Sequence, residues 1–239
     1  RTYQILESLR RTVKEQNITL RQPLTSTIGI AAYIIFLIIL FVLYLHTYRR
    51  KLLDNLRNIL FFSILMGIII GISFLVLQHA AVGLIYLIPF FLFSIITRVF
   101  YDSRTAIFIH LITIFIVSIA APAPYIFISI QVIAGIVAVI SLRDMTQRAQ
   151  LAQTALFLFL IYSIIYTATT MLVTGDIMNV EYRYYIYFAI NAVLVICAYG
   201  LIFLFERTFG LVSNITLVEL TNVNSNLMLE FAEKAPGTF

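Results

Sequence analysis

Residues 27–45 read TIGIAAYIIFLIILFVLYL, an apolar run from Thr27 to Leu45 with no charged side chain. A helix of about 20 apolar residues, each rising about 1.5 Å, crosses a hydrocarbon core about 30 Å thick. Within lipid the backbone has to satisfy its own polar groups, so such a run is expected to be helical. It lacks the alternation of apolar and polar residues that a barrel strand of about 10 residues would show.

Six more runs follow, bounded by charge or turn residues: Ile59 to Leu77, Val82 to Thr97, Ala106 to Ala121, Tyr125 to Leu142, Ala152 to Val173 and Tyr184 to Phe205. The third and fourth are short and are expected to lie deep or to extend at their ends. Pro89 falls inside the third and is expected to kink it. The expected fold class is an all-α membrane protein, a seven-transmembrane helix bundle.

Composition agrees. Of the 239 residues, 62% are hydrophobic and only 11% charged, against about 45–50% and about 25% in soluble domains. Mean hydropathy is +1.00. These values exclude an ordinary soluble enzyme, a disordered chain and a nucleic-acid-binding domain. The lone cysteine, Cys197, excludes a disulfide scaffold and is expected to be a small, buried, inert group. The net charge of +5 reads as cations held on the cytoplasmic side, not as a site for nucleic acid polymer. The chain opens on Arg1 without a secretory signal, so it reads as a piece of a longer protein.

The loops set an orientation. Connections after the first, third and fifth runs carry Arg49, Arg50, Lys51, Arg57, Arg98, Arg104, Arg143 and Arg148, whereas those after the second, fourth and sixth carry only Arg183. The positive-inside rule places the first set in the cytoplasm, the N-terminus outside and the C-terminus inside. The basic leader (Arg1, Arg10, Arg11, Lys14, Arg21) runs against this unless it belongs to a larger translocated domain. Tyr182, Tyr184, Tyr185 and Tyr187 at one end and Tyr44 and Tyr48 at the other are placed as interfacial anchors.

Three regions result. Residues 1–22 read as a helix, either the end of an extracellular domain or a frayed juxtamembrane leader. Residues 23–206 form the bundle. Residues 207–239 read as a cytoplasmic helical connector, with the last membrane helix continuing through Glu206 into a face of Leu211, Ile215 and Val218.

The tail carries Glu219-Leu220-Thr221-Asn222, then Leu227, then Glu233-Lys234-Ala235-Pro236-Gly237-Thr238-Phe239. This resembles the connector of the seven-transmembrane HD-domain phosphohydrolases, the PgpH-like family. Glu206-Arg207 and Phe209-Gly210 fit it too. The resemblance implies a multi-pass protein of the bacterial plasma membrane with an HD-domain hydrolase of cyclic-di-AMP; the last helix, which runs into the connector without a Pro, is expected to anchor and regulate that domain. It also implies two divalent metal ions in that HD domain, which would follow Phe239. No His-Asp dipeptide occurs in these residues, so no catalytic, metal or cofactor-binding residue is assigned here. The implied partners are the lipid bilayer, the chain's own extracellular and HD domains, and cyclic-di-AMP at the HD domain; a second copy of the chain is a further expectation, from the small-residue face described below. The alternatives are a seven-helix receptor segment of a histidine kinase and a small-molecule carrier.

No charged residue lies deep in any run, which argues against a proton-coupled pump. Gln131 and Asn191 are the polar groups at depth, read either as ligand contacts or as hydrogen bonds between helices. Ser63, Gly67 and Gly71 form a small-residue face for packing inside the bundle or between copies. His46, His79 and His110 are placed too far apart for a common metal site. Asp102 is expected to pair locally with Arg98 or Arg104.

Overall fold

A computed structural model describes residues 24–79, 82–141 and 149–213, together with Leu217. All its regular structure is helical. The main helices are α1 (Leu24–Tyr48), α2 (Leu56–His79), α3 (Phe90–Phe100), α4 (Ser103–Ser118), α5 (Pro124–Ser141), α6 (Ala149–Thr174) and α7 (Arg183–Phe209). Five segments are long and apolar enough to cross a membrane: Ser26–Tyr48, Leu56–Gln78, Gly83–Phe100, Pro124–Ser141 and Gln153–Thr174. A sixth arises if the two halves of α7, Arg183–Val195 and Gly200–Phe209, count as one span bent by 51°. The fourth apolar run folds as the shorter Ser103–Ser118. The chain is thus a multi-pass membrane protein, with five or six candidate spans among the described residues.

The chain divides into two compact units, residues 1–48 and residues 49–239. In the first, α1 is apolar from Ile28 to Leu45 and carries Tyr44 against Tyr48, their rings 5.7 Å apart. The second unit is built around α3. Phe90, Phe91, Phe93, Ile95, Ile96 and Val99 are all buried there, and Arg98 marks its polar side. It packs against α2, α4, α5 and α7, and α7 packs against α6.

The polarity of this unit is turned inside out. Ile64, Ile68, Ile164, Ile186 and Val193 face outward, while Ser94, Thr97, Thr113, Gln131 and Asn191 are buried. Lipid tolerates the first set; of the second, Thr113 donates to the Ile109 carbonyl and Gln131 and Asn191 find partners on neighbouring segments, while the hydroxyls of Ser94 and Thr97 have none among the described residues. Along α6 the hydroxyls of Ser163, Thr167, Thr169 and Thr174 each donate to the carbonyl one turn back, which satisfies them without water.

Pro89 does more than kink the third span. A 3-10 helix, Val82–Leu87, precedes it and the α-helix begins only at Phe90. Proline lacks an N–H and pushes the residue before it out of helical geometry, so the helix restarts after it.

Candidate functional site

The break at Pro89 leaves a carbonyl to satisfy. In a 3-10 turn the Tyr86 carbonyl would accept from residue 89, and proline has nothing to donate. The next donor, Phe90 N–H, bonds to the Ile88 carbonyl instead, at 2.9 Å. Asn191 of α7 fills the gap: its Nδ2 donates to the Tyr86 oxygen at 2.7 Å. Asn191 is fully buried, and its Oδ1 has no partner among the described residues. One turn back along α7, the Phe188 ring stacks on Tyr162 of α6, with centroids 5.1 Å apart and planes at 21°.

Tyr162 leads to a second polar contact. Its hydroxyl donates to Gln131 Oε1 of α5 at 2.8 Å. The backbone carbonyl of Gln131 lies 2.9 Å from Nε2 of His110 on α4. A carbonyl only accepts, so that bond assigns the ring proton to Nε2. The imidazole lies flat over Gly135, one turn along α5. A Cβ at residue 135 would stand 2.1 Å from His110 Nε2 and 2.4 Å from Cδ2. Only glycine admits the ring. Gln131 Oε1 thus bonds across to α6 and Asn191 Nδ2 to the Val82–Leu87 segment, in a chain of buried side chains that joins α4, α5, α6 and α7, while Gln131 Nε2 and Asn191 Oδ1 have no partner among the described residues. Chemically the chain can hold helices in register. It offers no nucleophile paired with a base.

The Phe209 end of α7 is the second feature. Phe61 of α2 is its hub. The ring is fully buried and lies 5.5 Å from Phe205, 5.5 Å from Phe209, 5.6 Å from Phe100 and 5.5 Å from Tyr101. Most of these contacts are edge-to-face, the geometry aromatic quadrupoles prefer. Burial pushes the Tyr101 hydroxyl up to about 12, against the opposing charge of Arg57. It stays protonated and donates to Asn58 Oδ1 at 3.0 Å.

Here α7 stops. Gly210 adopts φ +59° and ψ 32°, the left-handed cap that most side chains resist. Leu211 to Ser213 are not helical. The uninterrupted helix expected through Glu206 into the connector is therefore corrected: a glycine cap ends it. Two bonds fix the turn. Arg57 Nη1 donates to the Gly210 carbonyl at 3.2 Å, and Ser213 N–H donates to Glu206 Oε1 at 3.0 Å. A helical bond from Leu217 N–H to the Ser213 carbonyl follows at 3.1 Å.

The other candidates fall as follows. Ser63, Gly67 and Gly71 lie on an exposed face, and a Cβ at either glycine would meet nothing within 4 Å. Cys197 is exposed, not buried as expected. Asp102 pairs with neither neighbour in sequence. Its Oδ2 accepts from Arg49 Nη2 at 2.6 Å, and its Oδ1 from Thr105 Oγ1 at 2.6 Å, while Arg98 bonds to the Tyr101 carbonyl. Among the described residues no three His, Cys, Asp or Glu side chains cluster to hold a metal ion. Arg143, Arg148 and the connector residues Glu219, Leu220, Asn222, Ala235, Pro236, Gly237, Thr238 and Phe239 lie outside the described residues, as does the stretch 1–22.

The sequence singles out Gln131 and Asn191 as polar groups at depth but not their partners. Nor does Gly135 stand out, although a Gln and a Gly four residues apart share one helix face. The glycine after Phe209 was the available signal for the helix end.

A family model described as a 7TM receptor with intracellular HD hydrolase matches residues 24–213. Two curated relatives are 26% identical to the chain, both of them the cyclic-di-AMP phosphodiesterase PgpH. That of Listeria monocytogenes aligns over 92% of this chain and 32% of its own length. That of Bacillus subtilis aligns over 84% and 30%. The chain therefore spans about a third of the length of these relatives. No solved structure matches it.

Proposed function

The chain belongs to the family of 7TM receptors with an intracellular HD hydrolase, and on that footing we propose that it is the membrane region of a bacterial cyclic-di-AMP phosphodiesterase. It anchors the enzyme in the plasma membrane and regulates it. The observation that carries this reading is the match over residues 24–213 together with two relatives that bear that activity in their names.

The bundle crosses the membrane seven times, with the N-terminus outside and the C-terminus inside. The basic loop residues listed above on one side, against Arg183 on the other, support that orientation. Seven crossings count Ser103–Ser118 as a short span and α7 as one bent span. Residues 1–22 end an extracellular domain, and residues 207–239 lead to the HD domain.

Catalysis resides in that HD domain, to which two divalent metal ions would belong. The described residues of this chain do not fit those ions, since none of their acidic, histidine or cysteine side chains cluster in threes. What these residues supply is position: the hub at Phe61 and the bonds at Gly210 hold the end of α7, from which the connector departs.

The test is hydrolysis of cyclic-di-AMP by the purified full-length parent with a divalent cation. A linear dinucleotide product is expected, and an intact substrate after prolonged incubation would overturn the reading.

A further inference from the structure

We infer that α3 and α5 bind an internal water molecule between them, held by Ser94, Thr97 and Gln131. All three side chains are fully buried. Each keeps one atom without a partner among the described residues: Ser94 Oγ, Thr97 Oγ1 and Gln131 Nε2. Inside a bilayer no bulk water reaches such atoms, and a buried polar group left unpaired costs about 1–3 kcal/mol. Two hydroxyls and an amide N–H supply about three hydrogen bonds, the usual number for an internal water.

The two hydroxyls depart from the pattern of the other spans. A Ser or Thr in a helix usually donates to the carbonyl one turn back, as Ser73, Thr113, Ser129 and Ser163 do. Ser94 and Thr97 make no such bond. They stand three residues apart, on one face of α3. The amide of Gln131 is not free to turn. Its Oε1 accepts from the Tyr162 hydroxyl at 2.8 Å, which fixes Nε2 on the other side.

Ring contacts place the three groups at one level. Phe90 of α3 packs on Phe127 of α5, with centroids 5.4 Å apart. Short turns join α3 to α4 and α4 to α5, so α3 and α5 run the same way. Ser94 follows Phe90, and Gln131 follows Phe127, by one helical turn. Tyr162 supplies a second tie: it bonds to Gln131, and its ring lies 6.3 Å from that of Phe91, one turn before Ser94. Beyond Gln131 the same face of α5 carries only the small Ala134 and Ala138, both fully buried. Gln131 sits near the middle of α5, about 10 Å or more from either end, too deep for a loop side chain to satisfy it. Three neutral groups do not offset the desolvation of an ion, whereas water accepts from the amide and either donates to or accepts from each hydroxyl. The water ties α3 to the hydrogen-bonded chain of His110, Gln131 and Tyr162. The inference needs the bundle to lie in a bilayer and is independent of the hydrolase.

The test is hydroxyl-radical footprinting of the full-length parent in lipid nanodiscs, equilibrated in heavy-oxygen water. A millisecond X-ray pulse makes radicals from bound water, and these hydroxylate the side chains beside it. Adducts are mapped by mass spectrometry. Phe91 and Tyr162, next to the site, should take up heavy oxygen at least fivefold more than Phe93, which is as deeply buried on another face of α3. The double variant Ser94→Ala/Thr97→Val keeps the Tyr162–Gln131 bond and should bring Phe91 and Tyr162 down to the level of Phe93. Equal labelling of the three rings in the wild-type protein would overturn the inference, and that comparison decides by itself if the variant does not fold. Labelling of Phe91 and Tyr162 that persists unchanged in a folded double variant would overturn it as well.

Discussion

Asn191 Nδ2 donates to the Tyr86 carbonyl, 2.7 Å away and 105 residues earlier, at the point where Pro89 leaves that carbonyl without a backbone donor. An amide on α7 thereby repairs a break in the third span. Asn191→Leu strands a buried acceptor and should cost about 1–2 kcal/mol, read as an earlier unfolding midpoint in detergent. Pro89→Ala restores an N–H at residue 89. In that background the cost of Asn191→Leu should shrink by at least half, and an additive double mutant would argue against the repair.

Gly135→Ala puts a methyl group into the imidazole of His110. Overpacking of this kind costs about 1–3 kcal/mol. The ring has no slack, because its Nε2 is tied to Gln131 on the same helix. Adding His110→Ala to Gly135→Ala should recover part of the loss, measured by the same unfolding assay. If the single and double variants are equally unstable, the clash is not the cause.

The Arg49–Asp102 pair gives a pH dependence with a defined sign. Burial alone would raise the Asp102 carboxyl. Hydrogen bonds from Thr105 and Arg49, with the guanidinium charge, outweigh it and hold the group below its ordinary 3.8. The unfolded chain therefore binds the proton more readily than the folded one. The stabilisation is complete above about pH 4 and is lost as pH falls through the lowered value. Both side chains are about a third exposed or more, so the effect is small and salt-sensitive. Asp102→Asn should flatten that part of the acid-unfolding curve and leave stability at pH 7 only slightly changed.

Much of the architecture is legible in the sequence because lipid imposes a simple rule. Apolar runs between charge clusters became helices, from Leu24–Tyr48 to Arg183–Phe209. What escaped was where backbone geometry or distant contacts decide. Val82 to Thr97 read as one kinked helix, but Pro89 divides it. Asp102 sits between two arginines in sequence and bonds to a third, Arg49, which folding brings to it. Gln131 and Asn191 stood out as polar groups at depth. Their partners are a tyrosine hydroxyl and a main-chain oxygen, which periodicity does not reveal.

The cap at Gly210 changes how a signal would leave the bundle. A side chain there meets the left-handed penalty of about 1–2 kcal/mol. Gly210→Val should therefore either extend α7 or displace the turn that Arg57 holds. In the full-length parent, hydrolysis of cyclic-di-AMP should change at least threefold while membrane insertion stays normal. Insertions of one to three residues near Ser213 should perturb it less, because the glycine turn has already broken the helical phase. A strict dependence on inserted phase would restore rigid coupling.

The most direct measurement compares sealed membrane vesicles of the two orientations, made from cells that express the full-length parent. Everted vesicles, with the cytoplasmic face outward, should hydrolyse added cyclic-di-AMP at once. Right-side-out vesicles should do so only after detergent opens them. Hydrolysis by intact right-side-out vesicles, or by neither preparation, would contradict a membrane anchor whose C-terminal end carries the phosphodiesterase into the cytoplasm.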